Sequence, residues 1–347
     1  MSRPDPAFWR GRRVVLTGHT GFKGAWLALM LQELGAEVTG LALAPEPGPA
    51  LFAILRPALR LDHHEADMRD AAAVARIIRQ ARPSIVLHLA AQALVGRGHA
   101  DPAGTFATNL GGTIHVMQAL RGLGGVAAGV MITTDKVYRN DGRGQRFVES
   151  DPLGGADPYS ASKAACELAV ASWRASFAGD LPPLVTARAG NVIGGGDFAP
   201  ARLVPDLVRA ADGAALVLRY PAATRPWQHV LDVLAGYLLL AERAAAGDAP
   251  AAVNFAPPDG GTAAVLDIIA AFSRAFGREL AWTLAPSPAP EAHALALDAG
   301  LAASRLGWSA RLDGAAMVAA TAAWYGAWRR GDDMLAHSIR DMRTALA

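Results

Sequence analysis

Cysteine and lysine are both scarce in this chain of 347 residues. The single cysteine, Cys166, cannot form an internal disulfide, which excludes a disulfide framework and is typical of a cytoplasmic protein. Only three of the 33 basic residues are lysine, namely Lys23, Lys136 and Lys163. Arginine cannot replace lysine where a compact ammonium with a shiftable pKa is needed. The three lysines are therefore candidates for specific chemical roles.

The chain also lacks a long apolar run and an excess of charge of either sign. No uncharged apolar stretch approaches the ~20 residues that span a bilayer. The longest uncharged stretch, residues 102–120, contains Thr, Gly, Asn and Gln and predicts an amphipathic helix. The first residues contain no apolar core of signal-peptide length, and the net charge is only +2. We therefore expect a cytoplasmic protein with no membrane or nucleic-acid partner and no bound metal.

Apolar strands alternate with helices through the first 190 residues. This alternation indicates βαβ units and predicts an α/β protein with a doubly wound parallel sheet of the Rossmann type. The predicted strands cover 13–17, 37–43, 61–66, 84–91, 128–134 and 184–190, and the predicted helices cover 22–34, 70–81, 104–121 and 159–177.

The second half of the chain is less regular and predicts a smaller, mixed C-terminal lobe. We expect the Rossmann domain over 1–190, with 226–255 returning to it, and a substrate-binding lobe over 191–225 and 256–347. Further helices are predicted at 203–211, 230–246, 263–276 and 312–329, strands at 216–219 and 252–255, and loops at 198–205, 256–258 and 286–290.

A glycine-rich turn follows the first predicted strand and leads directly into a helix. Glycines at this spacing permit a tight turn and close approach of the backbone to a pyrophosphate, and the helix N-terminus offers free N–H groups to it. The strand before and the helix after are the context that such a motif requires, so the turn predicts a dinucleotide site. Its candidate cofactor-binding residues are Gly18, Thr20, Gly21, Phe22, Lys23 and Gly24.

The end of the second strand bears on which dinucleotide binds. Glu46 is the only acidic candidate there for the adenosine ribose, and residues 42–55 contain no Lys or Arg to meet a 2′-phosphate. NAD is therefore favoured over NADP. His88, at the end of the fourth strand, is equally compatible with a packed histidine and with a cofactor contact. The other candidate cofactor contacts are Asp67, Met68, Leu89, Ala90 and Ala91.

A tyrosine and a lysine open the predicted helix 159–177. Tyr159 and Lys163 are four residues apart and share one helical face. The ammonium and a bound nicotinamide both favour the phenolate and bring the pKa of Tyr159 from ~10 toward the working range. Thr134, at a strand end, can hydrogen-bond the reacting oxygen. Combined with the glycine-rich turn, this pattern predicts that Tyr159 and Lys163 serve in both catalysis and cofactor binding.

These motifs resemble the extended short-chain dehydrogenase/reductase family over nearly the whole chain. Within that family, the chain is similar to the sugar-nucleotide 4,6-dehydratases, and Asp135-Lys136 after Thr134 is typical of the branch that acts on CDP-glucose. The resemblance implies a lyase of deoxysugar biosynthesis that regenerates its NAD in each turnover. It rests on residues 18–27, 87–95, 133–138, 151–168, 188–206 and 225–232.

The resemblance also implies a role for each candidate residue. Tyr159 takes the proton of the sugar 4-hydroxyl during its oxidation, and Asp135 protonates the departing 6-hydroxyl. Lys136 either removes the proton on carbon 5 or stabilises the enolate. Two arginines can meet the substrate diphosphate or form an ion pair between domains. The candidate substrate-binding residues are Asn191, Arg202, Arg225 and His229.

Two alternative functions remain, and the resemblance also implies an oligomeric state. An epimerase or reductase acting on another nucleotide sugar would need Tyr159 and Lys163 but not Asp135-Lys136. A regulator that binds the cofactor without catalysis would not need the Tyr–Lys pair at all. Family members commonly form a homodimer, or a dimer of dimers, through helices that correspond here to 104–121 and 159–177.

Overall fold

The structure is a computed structural model that describes residues 2–257, 263–285, 295–312 and 314–347. The predicted loop at 286–290 and residue 258 lie outside the described residues. The strands are β1 (Arg13–Thr17), β2 (Glu37–Ala42), β3 (Leu61–Glu65), β4 (Ile85–His88), β5 (Ala128–Ile132), β6 (Arg146–Phe147), β7 (Leu184–Ala189), β8 (Val192–Ile193), β9 (Leu216–Leu218), β10 (Thr224–Arg225), β11 (Gln228–His229), β12 (Ala252–Phe255), β13 (Ala263–Ala264), β14 (Trp282–Leu284) and β15 (Ala296–Leu297).

Helices cover both faces of the main sheet and fill much of the second half of the chain. They are α1 (Pro6–Trp9), α2 (Phe22–Glu33), α3 (Leu51–Leu55), α4 (Ala71–Ala81), α5 (Val95–Ala100), α6 (Pro102–Phe106), α7 (Gly112–Leu120), α8 (Pro158–Ser176), α9 (Leu203–Ala211), α10 (Val230–Ala245), α11 (Val265–Phe276), α12 (Gly300–Leu306), α13 (Gly314–Arg330) and α14 (Met334–Leu346). None of the described helices is long and apolar enough to cross a membrane.

Seven strands form one sheet in the order β12-β7-β5-β4-β1-β2-β3. Every neighbouring pair in it is parallel, so all the carboxyl ends lie along one edge. The connections reverse direction between β1 and β4, where Thr17 is in register with His88. Ligands of such sheets bind at this switch point, beyond the carboxyl ends of the strands. The predicted Rossmann fold is confirmed.

Side chains of the central strands alternate between two apolar cores. Val14 and Leu16 of β1 pack into the core that α2 and α10 cover, whereas Val15 between them joins the core under α4 and α7. This alternation is the period of a strand, and burial on both sides explains why these strands are almost wholly apolar. The sheet is therefore the rigid middle layer of three.

Two strands of the main sheet end two or more residues earlier than the sequence predicts. The strand predicted at 84–91 ends at His88. The amides of Leu89 and Ala90 beyond it both donate to Thr17 Oγ1 at 3.1 Å, and the Leu89 amide also reaches the Thr17 carbonyl at 3.3 Å. The strand predicted at 128–134 ends at Ile132. Both shortened ends release residues into the cleft above the sheet.

The helix predicted at 104–121 is interrupted. It begins at Pro102, where Asp101 accepts the Gly104 amide at 2.9 Å, and it passes through one wider π turn at Ala107–Gly111. In that turn Asn109 accepts the Gln92 amide at 2.8 Å and donates to Ser162 Oγ at 2.8 Å. Such turns are frequent at functional sites. Here the turn ties α7 to the loop after β4 and to α8.

The second half of the chain differs from prediction at several places. The helix predicted at 263–276 begins at Val265, after strand β13, and neither α12 nor most of the short strands were expected. The loop predicted at 198–205 ends at Arg202, because α9 begins at Leu203 and takes Pro205 into its first turn. Proline is tolerated there since the first amides of a helix have no partner within it. The C-terminal helix α14 was not expected; it packs against α2. Strand β12 pairs with β7, while the division into domains stays a prediction.

Candidate active site

The turn between β1 and α2 has the geometry of a phosphate cradle. Gly18 has φ +75°, and a Cβ added to it would lie 2.8 Å from the Ala90 amide nitrogen. A Cβ on Gly24 would overlap the carbonyl oxygen of Gly18. Gly21 caps α2 without any side chain, which leaves the first amides of the helix open to an anion. These residues fit the pyrophosphate of a dinucleotide.

Other candidate cofactor residues surround this turn. Thr20 Oγ1 donates to the Leu43 carbonyl at 2.8 Å and ties the turn to the end of β2. Phe22 lies against Gly194, where an added Cβ would be 3.4 Å from the ring. Glu46, the acidic candidate for the ribose, is paired with Arg97 at 2.7 Å. Its contact with the cofactor stays a prediction.

The structure resolves the two interpretations of His88 in favour of packing. Its Nδ1 lies 2.7 Å from Thr17 Oγ1 and its Nε2 lies 3.1 Å from Thr113 Oγ1, so both ring nitrogens are occupied. Burial, with a smaller effect of the Lys163 charge, lowers the pKa of His88 to about 3. His88 is therefore a neutral structural histidine that links β1, β4 and α7.

The residues predicted after β3 and β4 lie at the carboxyl edge. Asp67 is held by Arg69, whose Nε is 2.9 Å from its Oδ2, and this hydrogen bond lowers the pKa of the carboxyl. Met68 is buried against Gly112 of α7, and a Cβ added to Gly112 would lie 2.9 Å from the Cβ of Met68. Leu89 to Ala91 form the wall beyond β4. Their cofactor contacts stay predictions.

Tyr159 stands in the first turn of α8, close to the end of β5. Desolvation raises its pKa to about 12, although a hydrogen bond with Thr134 acts in the opposite direction. The lowering expected from Lys163 is therefore not found in the protein alone, where burial dominates. Gly98 of α5 permits this approach, because an added Cβ would lie 3.2 Å from the Tyr159 amide.

Lys163 lies one turn further along α8, fully enclosed by protein. Its Nζ donates to the carbonyl of Ile132, the last residue of β5, at 2.9 Å. Burial lowers the pKa of this ammonium. Thr134, Tyr159 and Lys163 therefore meet at the end of β5, as the sequence predicts, and the strand end holds the lysine in place.

Asp135 is the buried acid of the site. Its Oδ1 accepts a hydrogen bond from Thr134 Oγ1 at 2.9 Å. Burial raises the pKa of the carboxyl, and the charges of Lys136, Arg225 and Lys23 act to lower it. A carboxyl in this setting exchanges a proton at a higher pH than an exposed one. Lys136 is only half-buried, and the choice between its two roles stays a prediction.

Lys23, the third lysine, reaches from the glycine-rich turn into the same cleft. Desolvation lowers its pKa to about 8, aided by the positive charges of Arg202 and Lys163 and opposed by Asp135. All three lysines of the chain thus gather at one site. This arrangement supports the argument that their retention in an arginine-rich chain has a chemical reason.

The four predicted substrate residues lie on the segments beyond β7. Arg202 is paired with Asp197 at 3.1 Å, and Arg225 is buried with its Nη1 donating to the Thr224 carbonyl at 2.8 Å. His229 Nδ1 accepts the Leu231 amide at 3.4 Å and caps α10, and burial lowers its pKa to about 4. The backbone carbonyl oxygen of Asn191 accepts a hydrogen bond from the Gln228 backbone amide. Their contacts with substrate stay predictions.

A buried ion pair supports the catalytic segment from below. The carboxylate of Glu167, one turn after Lys163, accepts hydrogen bonds from Arg188 Nη2 at 2.7 Å and from Arg188 Nε at 3.0 Å. The same carboxylate accepts the hydroxyls of Thr133 at 2.5 Å and Thr186 at 2.7 Å. The pair therefore joins α8, β7 and the residue that precedes Thr134. Sequence reasoning missed it: both residues lie within the segments that carry the family resemblance, but nothing in the sequence indicates that they pair.

Tyr237 is a second residue that the sequence did not single out. It lies on α10, wholly buried, and its ring centroid is 5.8 Å from Lys23 Nζ. The only available signal was a phenol in the otherwise apolar run Val233–Leu240 of a helix. Burial raises the pKa of this phenol, and the negative charges of Tyr159 and Asp135 raise it further.

Comparison with known proteins gives one family and several relatives. The profile of the NAD dependent epimerase/dehydratase family matches residues 14–256. The chain is 40% identical over 348 residues to the CDP-glucose 4,6-dehydratase of Salmonella typhimurium, covering 97% of each protein. It is 32% identical over 186 residues to dTDP-glucose 4,6-dehydratase 1 of Escherichia coli, covering 48% of this chain and 50% of that protein.

Solved structures agree with this result. DesIV, the dTDP-glucose 4,6-dehydratase of Streptomyces venezuelae solved with NAD bound, superposes with TM-score 0.80 at 25% identity, covering 93% of this chain and 99% of that one. The UDP-glucose-4-epimerase of Stenotrophomonas maltophila superposes with TM-score 0.81 at 23% identity, covering 92% and 99%, and shows the shared fold. With its glycine-rich turn, its Tyr–Lys pair and its sheet, the chain belongs to the NAD dependent epimerase/dehydratase family.

Proposed function

We propose that this protein is a lyase, an NAD-dependent nucleotide-sugar 4,6-dehydratase that converts CDP-glucose to CDP-4-keto-6-deoxyglucose. The name and near full-length similarity of the Salmonella typhimurium relative support the substrate. Asp135-Lys136 after Thr134 supports the same branch of the family. NAD is the cofactor of this family, and the cradle at Gly18 and Gly24 fits its pyrophosphate.

The observation that carries the proposal is the buried carboxyl of Asp135. An epimerase needs one acid–base group at the 4-hydroxyl, which Tyr159 supplies. Loss of water from carbons 5 and 6 needs a further acid for the departing 6-hydroxyl. Asp135 is buried beside Thr134 with a raised pKa, so it retains a proton more readily than an exposed aspartic acid. An epimerase or reductase reaction, the alternative function, contains no step that requires Asp135.

The chain's own residues divide the reaction between them. Thr134 orients the 4-hydroxyl and Tyr159 takes its proton, while Lys163 stabilises the phenolate that does so. Asp135 then gives its proton to the 6-hydroxyl as water leaves. Lys136 stands beside it, as the base for the carbon 5 proton or as the cation that stabilises the enolate. NAD held by the cradle at Gly18 and Gly24 would supply the hydride chemistry, from carbon 4 to carbon 6, and the proton removed from carbon 5 would return there to complete the product.

Binding roles follow from position. The amides around Gly18, Gly21 and Gly24 hold the cofactor pyrophosphate, with Thr20, Phe22, Lys23, Asp67, Met68, Leu89, Ala90 and Ala91 as the remaining walls of its cleft. Arg202 and Arg225 meet the substrate diphosphate, because guanidinium groups suit paired phosphate oxygens. Asn191 and His229 complete the pocket for the sugar.

A panel of nucleotide hexoses tests the reaction. CDP-glucose should lose one water by mass spectrometry without net reduction of NAD, whereas an epimer of unchanged mass would refute the proposal. Tyr159→Phe should abolish oxidation of the sugar, and Asp135→Asn should slow elimination by about 10² to 10⁴ while reduced cofactor accumulates. Asp180→Asn, an exposed aspartate paired with Arg121, is the matched control and should keep full activity. Equal activity of both active-site variants would contradict the assigned roles.

We also propose that the protein works in the cytoplasm as a homodimer, or as a dimer of such dimers. The dimer contact lies on α8 and on the helix segment α6–α7, and Leu168 of α8 is 60% exposed in the single chain, as an interface residue would be. Leu168→Glu should shift the protein to monomers in analytical ultracentrifugation. Leu284→Glu, at an equally exposed leucine far along the chain, is the control and should leave the assembly intact. An unchanged mass for Leu168→Glu would contradict the assigned interface.

A further inference from the structure

Tyr237 carries a buried hydroxyl that nothing in the proposed reaction uses. Helix α10 packs against β5, β7 and α2, and the Tyr237 ring lies edge-on to Phe255 with centroids 5.5 Å apart. Its Oη is buried and has no hydrogen-bond partner among the described residues. Leaving such a group unpaired costs about 1–3 kcal/mol, so native proteins seldom do it without a reason.

A complementary unpaired atom belongs to Asp135. Its Oδ1 takes the Thr134 hydroxyl, but within the described part of the chain its buried Oδ2 has no partner. Oδ2 lies against Gly190, where an added Cβ would be 3.2 Å from it. One orphan donor and one orphan acceptor thus belong to the same site. Lys23 connects the two groups: its Nζ lies 5.8 Å from the Tyr237 ring centroid, and its charge acts on Asp135.

We propose that Tyr237 is a positioning residue for proton transfer by Asp135, whose second carboxyl oxygen is linked to the Tyr237 hydroxyl through one bridging water. This inference rests on the proposed function, because it assigns a partner to the acid of the elimination step. The phenol remains a neutral donor throughout the working range: burial raises the pKa of Tyr237, and the charges of Tyr159 and Asp135 raise it further.

Several groups face the Asp135 carboxyl and set its proton affinity. Lys136 beside it, Arg225 of β10 and Lys23 of α2 favour the carboxylate, and Thr134 donates to it. Tyr159 of α8 bears no charge until it ionises. A hydroxyl donor on Oδ2 favours the carboxylate as well, so removing it raises the pKa of Asp135. The protonated acid then persists to higher pH, but it gives up its proton less readily.

Tyr237→Phe tests this proposal, because phenylalanine keeps the ring contacts with Phe255 and Lys23 and removes only the hydroxyl. We expect kcat for CDP-glucose to fall about tenfold with KM nearly unchanged, and the alkaline limb of the kcat profile to move to higher pH. NMR titration of carbon-labelled aspartate carboxyls, with Asp135→Asn to assign the resonance, should show the same upward shift without any turnover.

Tyr325→Phe is the matched control, because it removes another buried phenol hydroxyl, one that donates to the Asp197 carbonyl. It should leave the Asp135 resonance and the alkaline limb where they are. An Asp135 pKa that is equal in Tyr237→Phe and the parent protein overturns the proposal, and so does an unaltered pH profile. Failure of the parent protein to dehydrate CDP-glucose refutes the proposed function instead, while the NMR titration still decides whether Tyr237 is linked to Asp135.

Discussion

The ion pair between Arg188 and Glu167 should be among the most sensitive positions for stability. Their side chains are only 4% and 3% exposed, and two hydrogen bonds of 2.7 and 3.0 Å join them. Arg188→Met leaves the Glu167 carboxylate buried without its cation. Breaking a buried pair in this way costs about 3–5 kcal/mol. Because the Thr133 and Thr186 hydroxyls still donate to the carboxylate, we expect a loss near the lower end, about 3 kcal/mol.

Equilibrium urea unfolding, followed by circular dichroism and tryptophan fluorescence, measures this loss. The double variant Arg188→Met with Glu167→Gln removes both charges and should recover at least half of the lost stability, since the buried charge is then gone. Arg121→Met, which breaks the exposed pair with Asp180, is the control and should cost at most about 1 kcal/mol. A cost for Arg188→Met no larger than this control, or a double variant as unstable as the single one, would falsify the reasoning.

Two further predictions concern the cofactor turn and the response to acid. Gly24→Ala should weaken NAD binding at least tenfold by calorimetry, because its Cβ would overlap the Gly18 carbonyl; Gly124→Ala, with open space around it, should bind normally, and equal affinities would contradict the cradle. Burial lowers the pKa of His19 to about 4, of His88 to about 3 and of His229 to about 4, so the unfolded chain binds more protons below pH 6.5. Stability should therefore fall as the pH drops from about 6.5 to about 4, by up to about 1.4 kcal/mol per pH unit for each histidine. His88→Gln should flatten this slope in urea titrations, and an unchanged slope would contradict its neutral state.

The architecture of the sheet was predictable because burial on both faces leaves a strong pattern. Residues 14–16 and 128–132 are wholly apolar, and helices of regular length separate such strands. The glycine-rich turn was equally readable, since its spacing is a backbone requirement and depends little on the rest of the chain. Tyr159 and Lys163 were readable for a related reason, because one helical turn relates them directly.

Strand ends and helix irregularities were less predictable, because distant side chains set them. The amides of Leu89 and Ala90 both donate to the hydroxyl of Thr17, some 70 residues earlier in the chain. The π turn around Asn109 depends on Gln92 and Ser162, which no local pattern connects to it. The terminal helix α14 was missed altogether, since its partner is α2 at the other end of the sequence.

The sequence alone determined the fold class, the cofactor turn and the group of residues at the end of β5, because each depends on short-range periodicity or on backbone geometry. Only the tertiary structure decided that His88 is a packed neutral histidine, that Glu167 and Arg188 support the catalytic segment, and that Tyr237 and Asp135 each bury an oxygen without a partner. These features join elements that are far apart along the chain. Burial is what makes these residues important, because it shifts their pKa values and makes an unpaired polar atom costly. Which residues are buried is known only from the folded structure.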